Sequence, residues 1–437
     1  MKQNIRIFQW SLLILDTVVI WSMFFIYGKV VPHSLSDYFL MAICYIAIVM
    51  CQYSFKGYVL TQSKSFSRNL ISCFQGLIVA ALISSLAVFL FDKHIPKLNV
   101  ITYFGIISVL LILLRTLFFF LYQNSVPVMD VIVVGSKQKW EHLSQEISNS
   151  VLNKVRPVCY SSPDIDSLKK SINDFPWAKS LIVITPSFLK DAYVRKRIQQ
   201  LRNKNIKVEY LPGIAEDYLE RIPLEVAKEF SNYYEITLNT SPVRYAKRAI
   251  DIILSFSGLI VSSPIMIIVA LGIVIEDGFP VIFRQERIGM NGKKYTMHKF
   301  RSMKNATQKF KVPAFVTEER ARILNPVGKI IRKTRFDELP QLWDVLIGNM
   351  SLIGPRPEQP KFVEQFSDEL PFYDYRHHVR PGITGWAQVN FSYAATLEET
   401  AKKLEYDLYY VKNWSMLLDL SIILKTVETM LGMKGSK

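Results

Sequence analysis

Four long apolar runs crowd the first quarter of the chain and constrain its fold more than any other feature. They extend from about Ile7 to Val31, interrupted by Asp16 and Lys29, then from Tyr38 to Phe55, Leu70 to Phe91, and Leu98 to Tyr122 with Arg115 inside. A helix crosses the hydrocarbon core of a bilayer in about 20 apolar residues, and each run is near that length. A cleaved leader would account for the first run but not for the next three. Lys2 and Arg6 precede the first run, and Lys56, Lys64 and Arg68 lie between the second and third. Basic residues stay on the cytoplasmic side, so the N-terminus and everything after Tyr122 are expected in the cytoplasm. Asp16, an acid within an apolar run, reads either as a functional group or as half of a packed polar contact.

Composition narrows the partners. Lys and Arg outnumber Asp and Glu by 53 to 37, a formal charge of +16, which favours nucleic acid, a phospholipid surface or a phosphorylated substrate. With 50% hydrophobic and 21% charged residues the chain has the reverse of a disordered composition. Cys44, Cys51, Cys73 and Cys159 show neither zinc spacing nor a disulfide framework.

From Asp130 the pattern changes to short β-rich runs separated by polar helical stretches. Val131 to Gly135 reads as a strand entering a turn, followed by a helix near Trp140 to Ser148. Val155 to Tyr160, Leu181 to Thr185 and Ile206 to Leu211 read as further strands, with Ala192 to Arg202 as an intervening segment. This alternation predicts a small parallel sheet of Rossmann type. A dinucleotide fingerprint needs three glycines, and Gly135 is followed by Ser-Lys-Gln-Lys-Trp. A structural or regulatory sheet is therefore expected rather than a working nucleotide site.

Ile252 to Ile275 is uncharged, bounded by Lys247 and Arg248 on one side and Glu276 and Asp277 on the other. Its length would span a membrane. Ser262, Ser263 and Pro264 stand near its centre, where proline removes a backbone donor and serine hydroxyls can take up the freed carbonyls. Two readings follow, a kinked fifth span or a helix that breaks at Ser263 and Pro264 and returns to the same side.

The C-terminal third carries the chemistry. Arg284 to Gly292, Lys299 to Met303, Arg332, Asp337-Glu338-Leu339-Pro340-Gln341-Leu342, Gly354-Pro355-Arg356-Pro357 and Arg380 to Gln388 place cations and one acidic pair beside turn residues. Loops of this kind suit a phosphorylated ligand. Pro340 suits a first helical turn, which sets Asp337 and Glu338 at or just before a helix start. Acids there are common caps, but Arg332 and the Arg356 loop flank the same helix.

Taken in this order, the motifs from about Lys247 to Thr426 resemble the bacterial sugar transferase family, the monotopic phosphoglycosyl transferases, with Tyr406-Asp407-Leu408-Tyr409-Tyr410 completing the match. The resemblance implies a membrane protein in three parts. Residues 1–125 form four transmembrane helices, 128–240 a degenerate Rossmann-like cytoplasmic domain, and 243–437 an α-rich monotopic catalytic domain with a re-entrant helix at about 250–276. It implies transfer of a phosphosugar from a UDP-sugar to undecaprenyl phosphate, with Asp337 as nucleophile and Glu338 as ligand of magnesium, for which manganese could substitute. Arg332, Lys299, Arg301, Arg356, Arg380 and Gln388 become the expected substrate-binding residues. Membrane lipid, downstream glycosyltransferases and a homodimer are the expected partners, and nucleic acid is not. The expected location is the bacterial inner membrane, with the site on its cytoplasmic face.

Two residues depart from the family pattern, Asp344 where many relatives carry Asn and Tyr295 where many carry Phe. Asp344, one helical turn past the dyad, is expected to alter metal affinity or substrate preference. Two other classes share parts of this layout. A membrane-bound nucleotide-sugar dehydratase would need an intact glycine fingerprint and a Tyr-x-x-x-Lys pair with supporting context. A non-catalytic assembly scaffold would not need the dyad. Because the acids and phosphate-type arginines lie downstream of about residue 240, a chain starting near Pro242 is expected to retain chemistry.

Overall fold

The computed structural model describes residues 2–28, 35–54, 57–58, 66–91, 97–125, 127–183 apart from 152, 163 and 179, 206–239, 245–303, 326–391 and 396–430. The chain divides into two compact units, Met1–Glu220 and Arg221–Lys437.

In the first unit the apolar runs become α1 (Lys2–Gly28), α2 (Leu35–Ser54), α3 (Phe66–Phe91) and α4 (Lys97–Ser125). Windows in α1, α3 and α4 are long and apolar enough to cross a membrane, and α2 contributes a shorter apolar stretch, Tyr38–Ser54. Much of their apolar surface faces outward, including Trp10, Phe25, Phe89 and Leu113. The exception inside is polar. Asp16 of α1 accepts two hydrogen bonds from Arg115 of α4, at 3.0 and 2.7 Å, and both side chains are fully buried. The Arg115 guanidinium also lies 4.7 Å from the centroid of the Tyr58 ring. Asp16 is thus half of a packed polar contact.

The helices are followed by β1 (Met129–Val134), α5 (Lys137–Ser150), β2 (Val155–Ser161), α6 (Ile165–Asp174), β3 (Ser180–Val183), β4 (Lys207–Tyr210) and α7 (Leu211–Leu219). The strands form one all-parallel sheet in the order β2-β1-β3-β4, as the alternation predicts. Val131 to Val134 are buried without interruption, the pattern of a central strand covered on both faces. α5 buries Trp140, Leu143 and Ile147, spaced three and four apart on one helical face. The segment expected at Ala192 to Arg202 lies outside the described residues.

The unit boundary falls at Glu220, upstream of the boundary near residue 240 read from the sequence. The reason is packing. Arg221 forms a buried ion pair with Glu405, whose carboxylate also accepts from the Leu224 N–H at 3.0 Å. α8 (Leu224–Glu229) and α9 (Ser231–Asn239) follow, and Lys412 donates to the Tyr233 hydroxyl at 2.9 Å. These short helices belong to the second unit.

That unit continues with α10 (Tyr245–Asp277), β5 (Ile282–Ile288), β6 (Lys294–Phe300), α11 (Val327–Lys333), a 3-10 turn at Phe336–Glu338 and α12 (Gln341–Ile347). Then come β7 (Ser351–Ile353), α13 (Pro360–Glu369), a 3-10 turn at Tyr373–His378, β8 (Gly382–Thr384), α14 (Trp386–Asn390), α15 (Leu397–Asn413) and α16 (Met416–Met430). β5 and β6 form an antiparallel hairpin, closed by Gly289 N–H to Lys293 O at 2.8 Å. Asn291 and Gly292 both take positive φ there, the conformation that favours glycine in this turn. β7 and β8 pair in parallel, and a Cβ on Gly382 would collide with the backbone of Gly354.

α10 runs as one helix through Pro264, so no break in helical structure marks the Ser263-Pro264 step. Proline leaves the carbonyl four residues earlier, that of Ile260, without its usual donor. The Ser263 hydroxyl donates to that carbonyl at 2.8 Å. The compensation expected from the serines is therefore present. Side chains such as Ile253, Val261, Ile268 and Ile275 face outward.

The other face of α10 is held by its own unit along its length. Lys247 pairs with Asp419 at 2.7 Å, and Arg248 donates to the carbonyls of Val345 and Leu346 at 2.6 and 2.8 Å. Asp251 accepts from Ser351 and from the Leu352 N–H, both at 3.1 Å. Farther on, Val269 and Ile273 pack with Phe300 and Ile331, and Glu276 accepts from the Val327 N–H at 3.0 Å.

Candidate active site

The acidic pair sits where α10, β6 and α12 meet. Arg335 takes a left-handed conformation, φ 61°, and turns the chain out of α11 into the 3-10 turn that carries Asp337 and Glu338. Phe336 and Leu339 anchor this turn by packing against the cluster around Val269 and Ile273. Pro340 then starts α12, as its fixed φ allows.

Glu338 is the hub. Its Oε1 accepts from Lys299 Nζ and from an Arg356 Nη, each at 3.1 Å, and Arg335 approaches to 3.7 Å. Burial opposes its charge, but Arg356, Lys299 and Arg335 together outweigh that and bring its pKa down to about 2. Asp337 is pushed the other way. Burial and the neighbouring Glu338 charge raise its pKa, partly offset by Lys299, Arg335 and Arg332. Its Oδ1 is buried and has no hydrogen-bond partner among the described residues. Lys299 is itself shifted down, by burial and by Arg356.

Of the residues expected to bind substrate, Lys299, Arg332 and Arg356 are brought to the dyad. Three are placed elsewhere. Arg301 is buried and donates to the carbonyls of Asp277 and Gly278, tying the end of α10 to the hairpin. Arg380 donates to the Gly348 carbonyl at 3.1 Å, at the far end of α12 from the acids. Gln388 donates to the Ile383 carbonyl at 3.1 Å. Asp344 is engaged by β6. It is fully buried on α12 and accepts from the His298 N–H at 2.9 Å, with His298 Nδ1 2.7 Å away. Strand alternation sets the His298 side chain opposite that of Lys299 on β6. Tyr295 buries a hydroxyl that has no partner among the described residues, beside Met297 and Val345. Sequence reading missed Arg335, whose spacing of three residues from Glu338 was the available signal.

Among the described residues no three His, Cys, Asp or Glu side chains gather as a metal cage. The donors present still suit magnesium, which commonly takes one or two carboxylates and completes its shell with water and phosphate oxygens. Glu338, whose contacts with Lys299, Arg356 and Arg335 all fall on Oε1, offers one such carboxylate beside Asp337.

Comparison with known proteins fits this geometry. The family profile described as bacterial sugar transferase matches residues 243–433, and one described as a CoA-binding domain matches residues 53–211. The chain is 40% identical over 193 residues to the uncharacterized sugar transferase EpsL of Bacillus subtilis strain 168, covering 43% of this chain and 89% of that one. It is 42% identical over 233 residues, 53% of this chain and 54% of the other, to a UDP-N-acetylgalactosamine-undecaprenyl-phosphate N-acetylgalactosaminephosphotransferase of Aeromonas hydrophila. A UDP-glucose:undecaprenyl-phosphate glucose-1-phosphate transferase of Escherichia coli strain K12 is 37% identical over 252 residues, 56% of this chain and 53% of the other. The chain thus spans about half the length of these two longer relatives. It belongs to the bacterial sugar transferase family.

Proposed function

We propose that this chain transfers a phosphosugar from a UDP-sugar to undecaprenyl phosphate, the first membrane step in building a polysaccharide repeat unit. The observation that carries the reading is the buried, unpartnered Asp337 Oδ1 beside a Glu338 that gathers Lys299, Arg356 and Arg335. Asp337 Oδ1 attacks the phosphorus that bears the sugar, the bond to the bridging oxygen breaks, and UMP leaves with that oxygen. An oxygen of undecaprenyl phosphate then attacks the same phosphorus and frees Asp337, giving undecaprenyl-diphosphate-sugar. A carboxylate approaching a diphosphate is opposed electrostatically, and Lys299, Arg332 and Arg356 supply the compensating charge. Bound magnesium, held by Glu338, would lower that repulsion further.

The contacts of α10 support a re-entrant helix. Residues near both of its ends, Arg248 and Glu276, bond to parts of one unit. A spanning helix would have to carry those partners to opposite sides of the membrane. The site then lies on the cytoplasmic face of the inner membrane, where UDP-sugars are available. Downstream glycosyltransferases would take up the product, and a homodimer is the proposed assembly.

The half reaction tests the mechanism. Enzyme given UDP-glucose, UDP-galactose or a UDP-N-acetylhexosamine, without polyprenyl phosphate, should release UMP and gain one phosphosugar in mass. Asp337→Asn should do neither while remaining folded. UMP release only in the presence of polyprenyl phosphate, with no trapped adduct, would replace the covalent route by direct transfer.

A further inference from the structure

The loop that presents Arg356 is built without the usual backbone donors. Pro355 and Pro357 flank Arg356 and have no N–H, so the loop is oriented through its carbonyls. Each of the three is held. The Pro355 carbonyl accepts from Gly382 N–H at 2.9 Å, that of Arg356 from Arg376 at 2.8 Å, and that of Pro357 from Arg287 at 3.1 Å.

Arg376 is 3% exposed, and its remaining bonds fix its guanidinium in the plane. Asp407 of α15 accepts from it at 2.9 Å, and the Tyr373 hydroxyl does so at 2.9 Å. Its hydrogen bonds go to Asp407, Tyr373 and the Arg356 carbonyl, not to the dyad. The Arg356 side chain reaches forward to Glu338.

We infer that Arg376, locked by Asp407, is a positioning residue for the transfer reaction: by holding the Arg356 carbonyl it aims the Arg356 guanidinium at Glu338 and at the phosphate brought beside it. This rests on the proposed roles of Asp337 and Glu338. The competing account is a buried ion pair that only fastens α15 to the turn before β8. The two differ in whether Arg376 acts through Arg356.

Lysine at position 376 keeps the charge but cannot serve three acceptors in one planar fork. A displacement of about 1 Å at a catalytic group can cost on the order of 100-fold. In full-length, detergent-purified enzyme, Arg376→Lys should therefore lower kcat for UMP release about 10- to 100-fold, with KM for UDP-sugar changed less than about threefold. Tyr373→Phe removes one of the bonds to Arg376 and should show a smaller loss of the same kind, so the test survives if Arg376→Lys does not fold. The deciding measurement is a double-mutant cycle with Arg356→Lys. Once Arg356 is altered, either change should cost no more than about threefold further. Additive losses of kcat in this cycle, or a loss that falls on KM instead of kcat, would reduce Arg376 to a structural residue and overturn the inference. If the unaltered enzyme releases no UMP from any UDP-sugar, the functional reading fails and the inference falls with it.

Discussion

Asp337 and Glu338 are neighbours in sequence with opposite electrostatic surroundings, and pH should separate them. Glu338, and likewise Glu358 where it pairs with Lys403 at 2.8 Å and Arg287 at 3.7 Å, is held at about 2, below the ordinary 4.5, because the adjacent cations outweigh the cost of burial. A depressed carboxylate stabilises the fold fully above its unfolded value, and that contribution fades as pH falls toward 2. Asp337 lies above its ordinary 3.8 because it is buried beside Glu338, and only its ionised form can attack. The acid limb of UMP release should therefore sit above pH 3.8, and activity should fall before the contribution of Glu338 and Glu358 is lost. Half-reaction rates and thermal unfolding measured across the same pH series check this, and unfolding that precedes the loss of activity would contradict it. Glu338→Gln should raise the magnesium concentration needed for half-maximal release on the order of tenfold, read by titration, and should also lower the melting temperature, since it removes a metal ligand and the charge that gathers Lys299, Arg356 and Arg335. The dyad and three of its cations were legible because each sits in a motif beside a turn. Arg301 was not, because β6 ends at Phe300 and the alternation that aims Lys299 at Glu338 stops there. Charge alone likewise does not tell which carbonyl Arg380 will find.

Helices give the next set of tests. The apolar length of α10 was plain in the sequence, and so was the need for a donor near Pro264. What no apolar count reports is that the opposite face of this helix is bonded to its own unit from Lys247 to Asp277. Single cysteines placed beside Lys247 and beside Asp277 should therefore label from the same side of the membrane, and labelling from opposite sides would sink the re-entrant reading. In the first unit, Asp16 and Arg115 join α1 to α4 by two hydrogen bonds in a fully buried setting. Asp16→Leu or Arg115→Leu alone leaves a buried charge and should cost roughly 3–5 kcal/mol, lowering the melting temperature in detergent. The double variant should recover much of that loss.

At the scale of the whole chain, the sequence boundary near residue 240 followed a change in motif, whereas the structural boundary follows packing. Arg221, Leu224 and Tyr233 are committed to the C-terminal unit through Glu405 and Lys412. A chain beginning near Arg221 should fold and carry out the half reaction. One beginning near Pro242 loses Arg221 and the Leu224 N–H, leaves Glu405 with Lys402 at 3.3 Å, and should be destabilised by about 2 kcal/mol, measured by thermal unfolding of the two forms. Equal stability would return the boundary to 240. The contact between Gly354 and Gly382 has a consequence for divergence. The two loops approach too closely for either backbone to shift or grow a side chain independently, so they form a joint that tolerates little drift. Change at one of these loops is therefore change at both, and a graft of one loop without the other would disrupt the joint.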